Sequence, residues 1–340
     1  GLALGKTHYY GGIKKYQWTT IPLALHGAVV LGDGSKVEVK IGEDEGDPVF
    51  YISDLLPHLS QKQNTKTLAE AFSGEDLNIW LGNIPYTAAK EDGDKTVKEN
   101  LLHILNEKYG IKEEDFLSAE LSLVPAFKAR DIGFDRALIG AYGHDDRVCS
   151  YPAFSALFDT ETDGKTVMVV LADKEEIGSE GTTGMQCAIF TDLIDAIAYS
   201  FDTTSAVIRA NSKCLSADVN AAYDPNFKDV NEPMNSTYVS CGAGLTKFTG
   251  ARGKSGSNDA SAEFMAEVRK MFNDEGVIWQ TGELGKVDQG GGGTVAKYIA
   301  KMNIDTVDIG VAVVSMHAPY EVISKADVYE MYLACKAFMK

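Results

Sequence analysis

The stretch ALIGAYGHDDR, residues 137–147, joins a short apolar run to two adjacent acids, Asp145 and Asp146. An uninterrupted apolar run of this length is typical of a strand that is buried on both faces. A second stretch, VMVVLADKEE at residues 167–176, repeats the arrangement and ends in two adjacent glutamates. Two strands that each lead into a pair of acids predict a polar site at the end of a sheet.

Two further apolar runs end in the same way. Residues 214–217 lead to Asp218, and residues 309–314 lead to His317 before Pro319 interrupts the run. In an open α/β sheet, ligands bind beyond the carboxyl ends of the strands, so polar groups that follow separate strands converge on one site. We therefore expect the side chains at these four strand ends to lie close together.

After about residue 130 the pattern alternates between strand and helix. Helices are predicted near residues 187–200, 260–272, 294–302 and 324–338. This alternation predicts an α/β fold with a mostly parallel central sheet flanked by helices. The last helix opens on Ser-Lys-Ala-Asp, residues 324–327, which is the pattern of a capping box.

The first 130 residues favour β-structure. A period of two is hinted at by Tyr16, Trp18, Ile21, Leu23 and Leu25. Two apolar runs flank Gly-Asp-Gly-Ser at residues 32–35, a turn sequence that predicts a hairpin. One helix is predicted from Thr96 to Tyr109, with Gly110 as its stop. The change in pattern near residue 130 predicts two domains, which also agrees with the length of 340 residues.

The composition narrows the class of protein. The formal net charge of −17 disfavours binding to nucleic acid or to an anionic membrane. The five cysteines are scattered and have no C-x-x-C spacing, so neither a disulfide framework nor a thiolate zinc site is expected. Without an apolar stretch of about 18 residues or a signal-peptide pattern, the cytoplasm is the expected compartment.

The acids and the histidine at the strand ends suit one kind of chemistry. Carboxylate oxygens with one imidazole are ligands for Zn²⁺, Mn²⁺ or Co²⁺, and a two-metal hydrolase needs one carboxylate that bridges both ions. It also needs a separate carboxylate to take a proton from the bridging water, and the neighbours Glu175 and Glu176 can divide these tasks. Each acid alone is more often a solvated surface group, and His317 alone is more often structural. Their joint placement favours the functional interpretation.

Several motifs together resemble those of the M18 metallo-aminopeptidases, especially bacterial members of the aminopeptidase I type. The similarity extends over essentially the whole chain, and the motifs occur in the same order and with the same spacing as in that family. They are YGHDDR at 142–147, DKEEIGS at 173–179, SAD at 216–218, GGGGT at 290–294 and SMHA at 315–318.

The resemblance implies a role for each site residue. Asp145 would bridge two divalent ions, and its peptide bond to Asp146 would be cis. Glu176 and His317 would complete the site of one ion, Asp218 would bind the other, and Glu175 would be the general base. The ions would be zinc, with cobalt or manganese as alternatives.

The resemblance also implies an architecture and a partner. The fold would be of the zinc-exopeptidase type, with residues 1–8 and 129–340 forming the catalytic domain and residues 9–128 a β-rich dimerisation and lid domain. The expected assembly is a homododecamer built from dimers. The substrates would be peptides with a free N-terminus, and neither nucleic acid nor membrane would be a partner.

One element of the family pattern is missing from this sequence. The remaining metal ligand of the family is a histidine in an upstream His-x-Asp motif, and none of the four histidines before His144 is part of such a motif. The motif would belong before Gly1. An incomplete site keeps one alternative open, an inactive oligomeric scaffold of the same fold. A related dinuclear amidohydrolase or carboxypeptidase is the other.

Four more residues are candidates for supporting the metal ligands or binding substrate: His144, Asp146, Gly292 and Thr294. His144 could orient the carboxylate of Asp145 or simply end a strand. The glycine loop before Thr294 lacks the Gly-Lys-Ser/Thr ending of a nucleotide-binding loop, so a nucleotide site is not expected. Its backbone amides could instead meet substrate, or the loop could be a plain strand-to-helix turn.

Overall fold

The computed structural model describes residues 1–86 and 93–340. The chain divides into two compact units. The first comprises Gly1–Lys128 with Ala318–Tyr320, and the second comprises Ala129–His317 with Glu321–Lys340. Residues 1–8, which were expected with the catalytic part, lie in the first unit, because a strand near the N-terminus pairs with a strand near residue 80.

The first unit is mainly antiparallel β-structure. Its strands are β1 (Ala3–Gly5), β2 (Leu23–Val30), β3 (Lys36–Ile41), β4 (Ile79–Gly82) and β5 (Ala119–Pro125). Its helices are α1 (Leu68–Ala71) and α2 (Gly93–Tyr109). Strand β2 lies between β3 and β5, and β1 pairs with β4. The predicted hairpin is confirmed as β2 and β3, where Gly34 takes the positive φ of 86° that the turn requires.

The second unit contains nine strands and six helices among the described residues. The strands are β6 (Arg130–Ile132), β7 (Leu138–Ala141), β8 (Lys213–Ala217), β9 (Asn220–Ala221), β10 (Ala243–Thr246), β11 (Trp279–Thr281), β12 (Asp305–Gly310), β13 (Ala312–Val314) and β14 (Glu321–Ser324). The helices are α3 (His144–Asp159), α4 (Ile189–Ser200), α5 (Ser205–Ala210), α6 (Ala262–Asp274), α7 (Ala296–Ala300) and α8 (Lys325–Met339).

These strands form two sheets with flanking helices, which confirms the α/β fold. One sheet has the order β11-β10-β12-β8, and the other has the order β6-β7-β14-β13-β9. The sheets are mixed rather than mostly parallel: β10 runs antiparallel to β12, and β14 runs antiparallel to both β7 and β13. Because β14 runs antiparallel to both of its neighbours, it begins where they end.

Two predicted strands differ from the structure. The apolar run at residues 309–314 divides between β12 and β13, which belong to different sheets. Residues 167–172 have no regular secondary structure and pair with no strand in the part of the chain that the structure describes. Val167 and Val169 still pack against the core, while Val170 is 46% exposed. A strand requires a hydrogen-bonded neighbour, and an apolar pattern alone cannot supply one.

The four predicted helices are present as α4, α6, α7 and α8, although the capping box of α8 is not formed. Asp327 does not turn back to the helix start; its carboxylate accepts hydrogen bonds from the backbone N–H groups of Ser240 and Gly242. Helix α3, which begins directly after the decisive apolar run, was not predicted. Its acids and its internal Pro152 obscure the helical pattern.

The main core of the second unit lies between helices and sheet. Helix α6 packs against β12, α8 against β10 and β14, and α3 against β8 and β14, and Val268, Phe272 and Met331 are completely buried in this core. Burial of each such side chain contributes about 1.5–3 kcal/mol. In the described residues, no helix has both the length and the apolar character needed to cross a membrane.

Candidate active site

The pairing of β14 brings two of the predicted ligands together. Strand β14 lies between β7 and β13 and runs antiparallel to both. The loops that leave the carboxyl ends of β7 and β13 therefore emerge at the same edge of the sheet, beside the first residue of β14. Asp145 lies at the start of α3, directly after the first of these loops, and His317 lies on the second.

The backbone around Asp145 has an unusual conformation. Gly143 precedes α3 with a left-handed φ of 73°, and Asp145 itself has a non-helical ψ of 114°. The peptide bond between Asp145 and Asp146 is cis, as the resemblance implied. Only 12% of the Asp145 side chain is exposed to solvent.

The two glutamates lie on a short 3-10 turn, Glu175–Ile177. Lys174 before it and Gly178 after it both have left-handed backbones, with φ of 65° and 98°. The N–H of Ser179 donates to the carbonyl of Lys174 at 2.7 Å and closes the turn. The turn therefore presents two neighbouring carboxylates to one region.

Asp145, Glu176 and His317 form a compact group of potential metal ligands. Nε2 of His317 lies 3.2 Å from Oδ2 of Asp145 and 3.1 Å from Oε1 of Glu176. One ligand atom from each of the three residues lies within 4.8 Å of the others. With metal–ligand bonds of about 2.0–2.2 Å, the ligand atoms of a tetrahedral zinc ion lie roughly 3.3 Å apart. The oxygen and nitrogen atoms of this group thus fit the spacing and the ligand type of a zinc ion.

Asp218 is held at the end of β8 by its own backbone. Its N–H donates to the carbonyl of Ile309 at 3.0 Å, and its carbonyl accepts a hydrogen bond from Sγ of Cys149 at 2.8 Å. Cys149 is completely buried on α3 and also accepts from the N–H of Val311 at 3.3 Å. The sequence reasoning treated this thiol only as a buried cysteine and missed its contact with a predicted ligand.

The site concentrates negative charge. Burial, followed by the charges of Glu176 and Asp145, raises the pKa of Glu175 to about 7. Burial and the charge of Asp145 likewise raise the pKa of Asp218 well above its usual value. Repulsion between these carboxylates destabilises the folded protein, and a bound cation would relieve that repulsion.

The four supporting candidates have different surroundings. Nε2 of His144 lies 3.1 Å from the carbonyl oxygen of Ile139, and burial lowers the pKa of His144. Oδ2 of Asp146 accepts from the hydroxyl of Ser150 on the next turn of α3. The carbonyl of Gly292 accepts from the N–H of Gly250 at 2.6 Å, and the hydroxyl of Thr294 favours the ionised form of the buried Asp308.

Glu321 is a second residue that the sequence reasoning missed. It is only 2% exposed and bonds to the backbone N–H groups of both Asp145 and His317. A charged residue that opens an otherwise apolar strand, four residues after the predicted histidine ligand, is the signal that could have identified it.

Comparison with known proteins agrees with this geometry. Residues 1–339 match the family described as aminopeptidase I zinc metalloprotease (M18). A probable M18 family aminopeptidase 1 from Clostridium acetobutylicum is 51% identical over 342 residues, which cover 99% of this chain and 73% of that protein. These matches favour the aminopeptidase over the alternatives of an amidohydrolase, a carboxypeptidase or an inactive scaffold.

Solved structures give the same result. The crystal structure of an M18 aminopeptidase from Thermotoga maritima superposes with a TM-score of 0.96 at 47% identity, covering 100% of this chain and 75% of that chain. The Saccharomyces cerevisiae mApe1 dodecamer shares the fold, with a TM-score of 0.72 at 21% identity over 99% of this chain and 73% of that chain. The chain therefore belongs to the M18 family of zinc metallo-aminopeptidases.

Proposed function

We propose that this aminopeptidase removes the N-terminal residue of peptides by two-metal hydrolysis, with a water as nucleophile and Glu175 as general base. The observation that carries the proposal is the pairing of a three-ligand group with a separate carboxylate. Asp145, Glu176 and His317 form the group, and Glu175 lies on the same turn as one of them.

The residues divide into two ligand sets. Asp145, Glu176 and His317 would hold one ion, while Asp145 and Asp218 would contribute to the other. Zinc is the proposed metal, with cobalt or manganese as alternatives, because all three accept carboxylate and imidazole ligands. When bound, the ions would polarise the scissile carbonyl and lower the pKa of a water between them.

Glu175 has the properties expected of the base. A general base works best when its pKa is near the pH at which the enzyme operates, and burial raises the pKa of Glu175 to about 7. Its carboxylate can accept a proton from the attacking water and pass it to the leaving amine. The nearby carboxylates would also favour the positively charged free amino group of the substrate.

The assembly is part of the same proposal. A closed homo-oligomer, a dodecamer built from dimers, is proposed by analogy with the yeast dodecamer. The β-rich region from residue 9 to 128 would form the dimer contacts and shape access to the site of a neighbouring subunit. Residues 129–340 would carry the catalytic machinery.

The direct test is Glu175→Gln in the full-length protein. Loss of a general base is expected to lower kcat by roughly 10²–10⁴-fold on a peptide with a free N-terminus. Metal content per chain, measured by elemental mass spectrometry, should not change. Glu180→Gln is the matched control, since Glu180 is an exposed carboxylate five residues away that bonds to Gln186. A Glu175→Gln enzyme as fast as this control would refute the assignment of the base.

A further inference from the structure

Glu321 makes one hydrogen bond to each of two residues in the ligand group. Its Oε2 accepts from the backbone N–H of Asp145 at 3.1 Å, and its Oε1 accepts from the backbone N–H of His317 at 2.8 Å. The residue is 2% exposed. Both oxygens of this buried carboxylate are therefore engaged by the two loops that carry Asp145 and His317.

The topology explains why a single side chain reaches both loops. Glu321 is the first residue of β14 and pairs with Ala141, the last residue of β7, while β13 flanks β14 on its other side. Glu321 thus occupies the one strand position that adjoins the ends of both ligand-bearing neighbours.

We propose that Glu321 is a positioning residue that sets the separation between Asp145 and His317 and so prepares the metal site. Because its two oxygens accept from backbone N–H groups, it acts through the backbones of two ligands. The inference rests on the proposed function, because it takes these two residues to be metal ligands.

The backbone of His317 shows why such an anchor matters. Its φ of 64° is left-handed, a backbone conformation that is unfavourable for a non-glycine residue. The hydrogen bond from its N–H to the side chain of Glu321 helps to hold this conformation. Without the acceptor, the loop would lose the conformation that places Nε2 beside Asp145 and Glu176.

The chain contains a matched control for this role. Asp327 is completely buried and also accepts two backbone hydrogen bonds, from Ser240 at 2.7 Å and from Gly242 at 2.8 Å. Neither donor belongs to the ligand group. A comparison of the two carboxylates therefore separates support of the fold from preparation of the metal site.

The experiment compares Glu321→Gln with Asp327→Asn in the full-length protein. A glutamine can accept from only one of the two N–H groups and turns its own NH₂ toward the other. Zinc affinity, measured by competition with a chromogenic chelator, is expected to fall about 10–100-fold in Glu321→Gln, as for other residues that orient metal ligands. At saturating zinc, kcat should still fall, with a smaller change in KM. Asp327→Asn should lose thermal stability while its zinc affinity stays within about twofold of the wild type.

The outcomes separate this inference from the proposed function. His317→Ala serves as the positive control and should bind zinc more weakly than any other variant. A wild-type protein that binds none of zinc, cobalt and manganese would refute the proposed function itself. If the wild type binds zinc and Glu321→Gln binds it equally well with an unchanged kcat, Glu321 supports only the fold. Should Glu321→Gln fail to fold, Glu321→Asp keeps the charge but is one methylene shorter, and undiminished zinc affinity in that variant would overturn the inference.

Discussion

The two sides of the metal-ligand group are built in different ways. Asp145 and His317 follow paired strands of one sheet, and Glu321 binds the N–H of each. Glu175 and Glu176 follow residues 167–172, which pair with no strand in the described part of the chain. Their turn is closed by Ser179, and the hydroxyl of Tyr298 donates to the carbonyl of Gly178 at 3.4 Å.

This difference shows that two segments with similar sequence patterns can differ in how rigidly they hold the proposed metal ligands. Paired strands fix a following loop through the ladder and through a buried acceptor, whereas a short turn depends on a few local hydrogen bonds and on left-handed residues. We call Asp145 and His317 the sheet side of the site, and Glu175 and Glu176 the glutamate side. We infer that the sheet side is preorganised and that the glutamate side is the more easily displaced.

The largest expected effect comes from crowding the end of β8, where Asp218 lies in the other sheet of the second unit. A Cβ added at Gly310 would lie 1.9 Å from the backbone oxygen of Asp218. Gly310→Ala is therefore expected to destabilise the protein by about 3 kcal/mol, at the upper end for overpacked sites, and to displace Asp218. Chemical denaturation of the metal-free protein measures the loss. Gly276→Ala is the control, because no heavy atom lies near its added Cβ and only its positive φ is strained.

A pH-dependent change of similar size in the free energy of unfolding should arise from Asp308 on β12. Burial raises the pKa of Asp308 to about 6, and the hydroxyls of Thr294 and Ser216 only partly oppose this. A carboxyl with a raised folded-state pKa binds more protons when folded, so stability falls as the pH rises from about 4 to about 6. A shift of about two pKa units corresponds to roughly 3 kcal/mol. The stability of Asp308→Asn relative to the wild type should therefore increase over this pH range, and a constant difference would contradict the expectation.

Zinc binding should slow hydrogen exchange more in the turn that carries Glu175 and Glu176 than in the strands beside Asp145 and His317. At a free zinc concentration of about 100 Kd, binding adds about 2.7 kcal/mol to the free energy of unfolding. Because Glu176 lies in the ligand group but on the less supported segment, hydrogen exchange at residues 173–179 should slow more than exchange at β7, β13 and β14. Equal slowing on both sides would contradict the proposed difference in rigidity, and His317→Ala should remove the effect.

The smallest expected effect on stability comes from backbone strain at Gly178, which ends the turn that carries Glu175 and Glu176. Gly178 has a φ of 98°, and its added Cβ would meet only Cγ of Glu180 at 3.9 Å. Gly178→Ala is expected to cost about 1 kcal/mol from backbone strain and to weaken zinc binding severalfold, because Glu176 moves with the turn. Gly164→Ala carries a similar strain at a φ of 70° in open space. It should lower stability to the same extent without changing zinc affinity.

Much of the fold could be predicted because short apolar runs and helical periodicity are local properties of the chain. The strands β7 and β8, the hairpin of β2 and β3, and the helices α4, α6, α7 and α8 all lie close to their predicted positions. The prediction at residues 167–172 was wrong because strand pairing is decided by a partner that the local pattern cannot specify. The division of residues 309–314 between two sheets is a tertiary event of the same kind.

The sequence by itself determined which side chains are available for chemistry and where the strands that carry them end. Two acids after β7, two glutamates after residue 174, Asp218 and His317 are the proposed machinery, and all were identifiable before the fold was known. Only the tertiary structure decided which of them meet. Ligand atoms of Asp145, Glu176 and His317 lie within 4.8 Å of one another, and the antiparallel β14 explains why Asp145 and His317 come to the same edge of the sheet. The tertiary structure also identified Glu321 and Cys149, whose side chains bond to backbone groups far away in the sequence. Such contacts produce no periodic pattern from which they could be predicted.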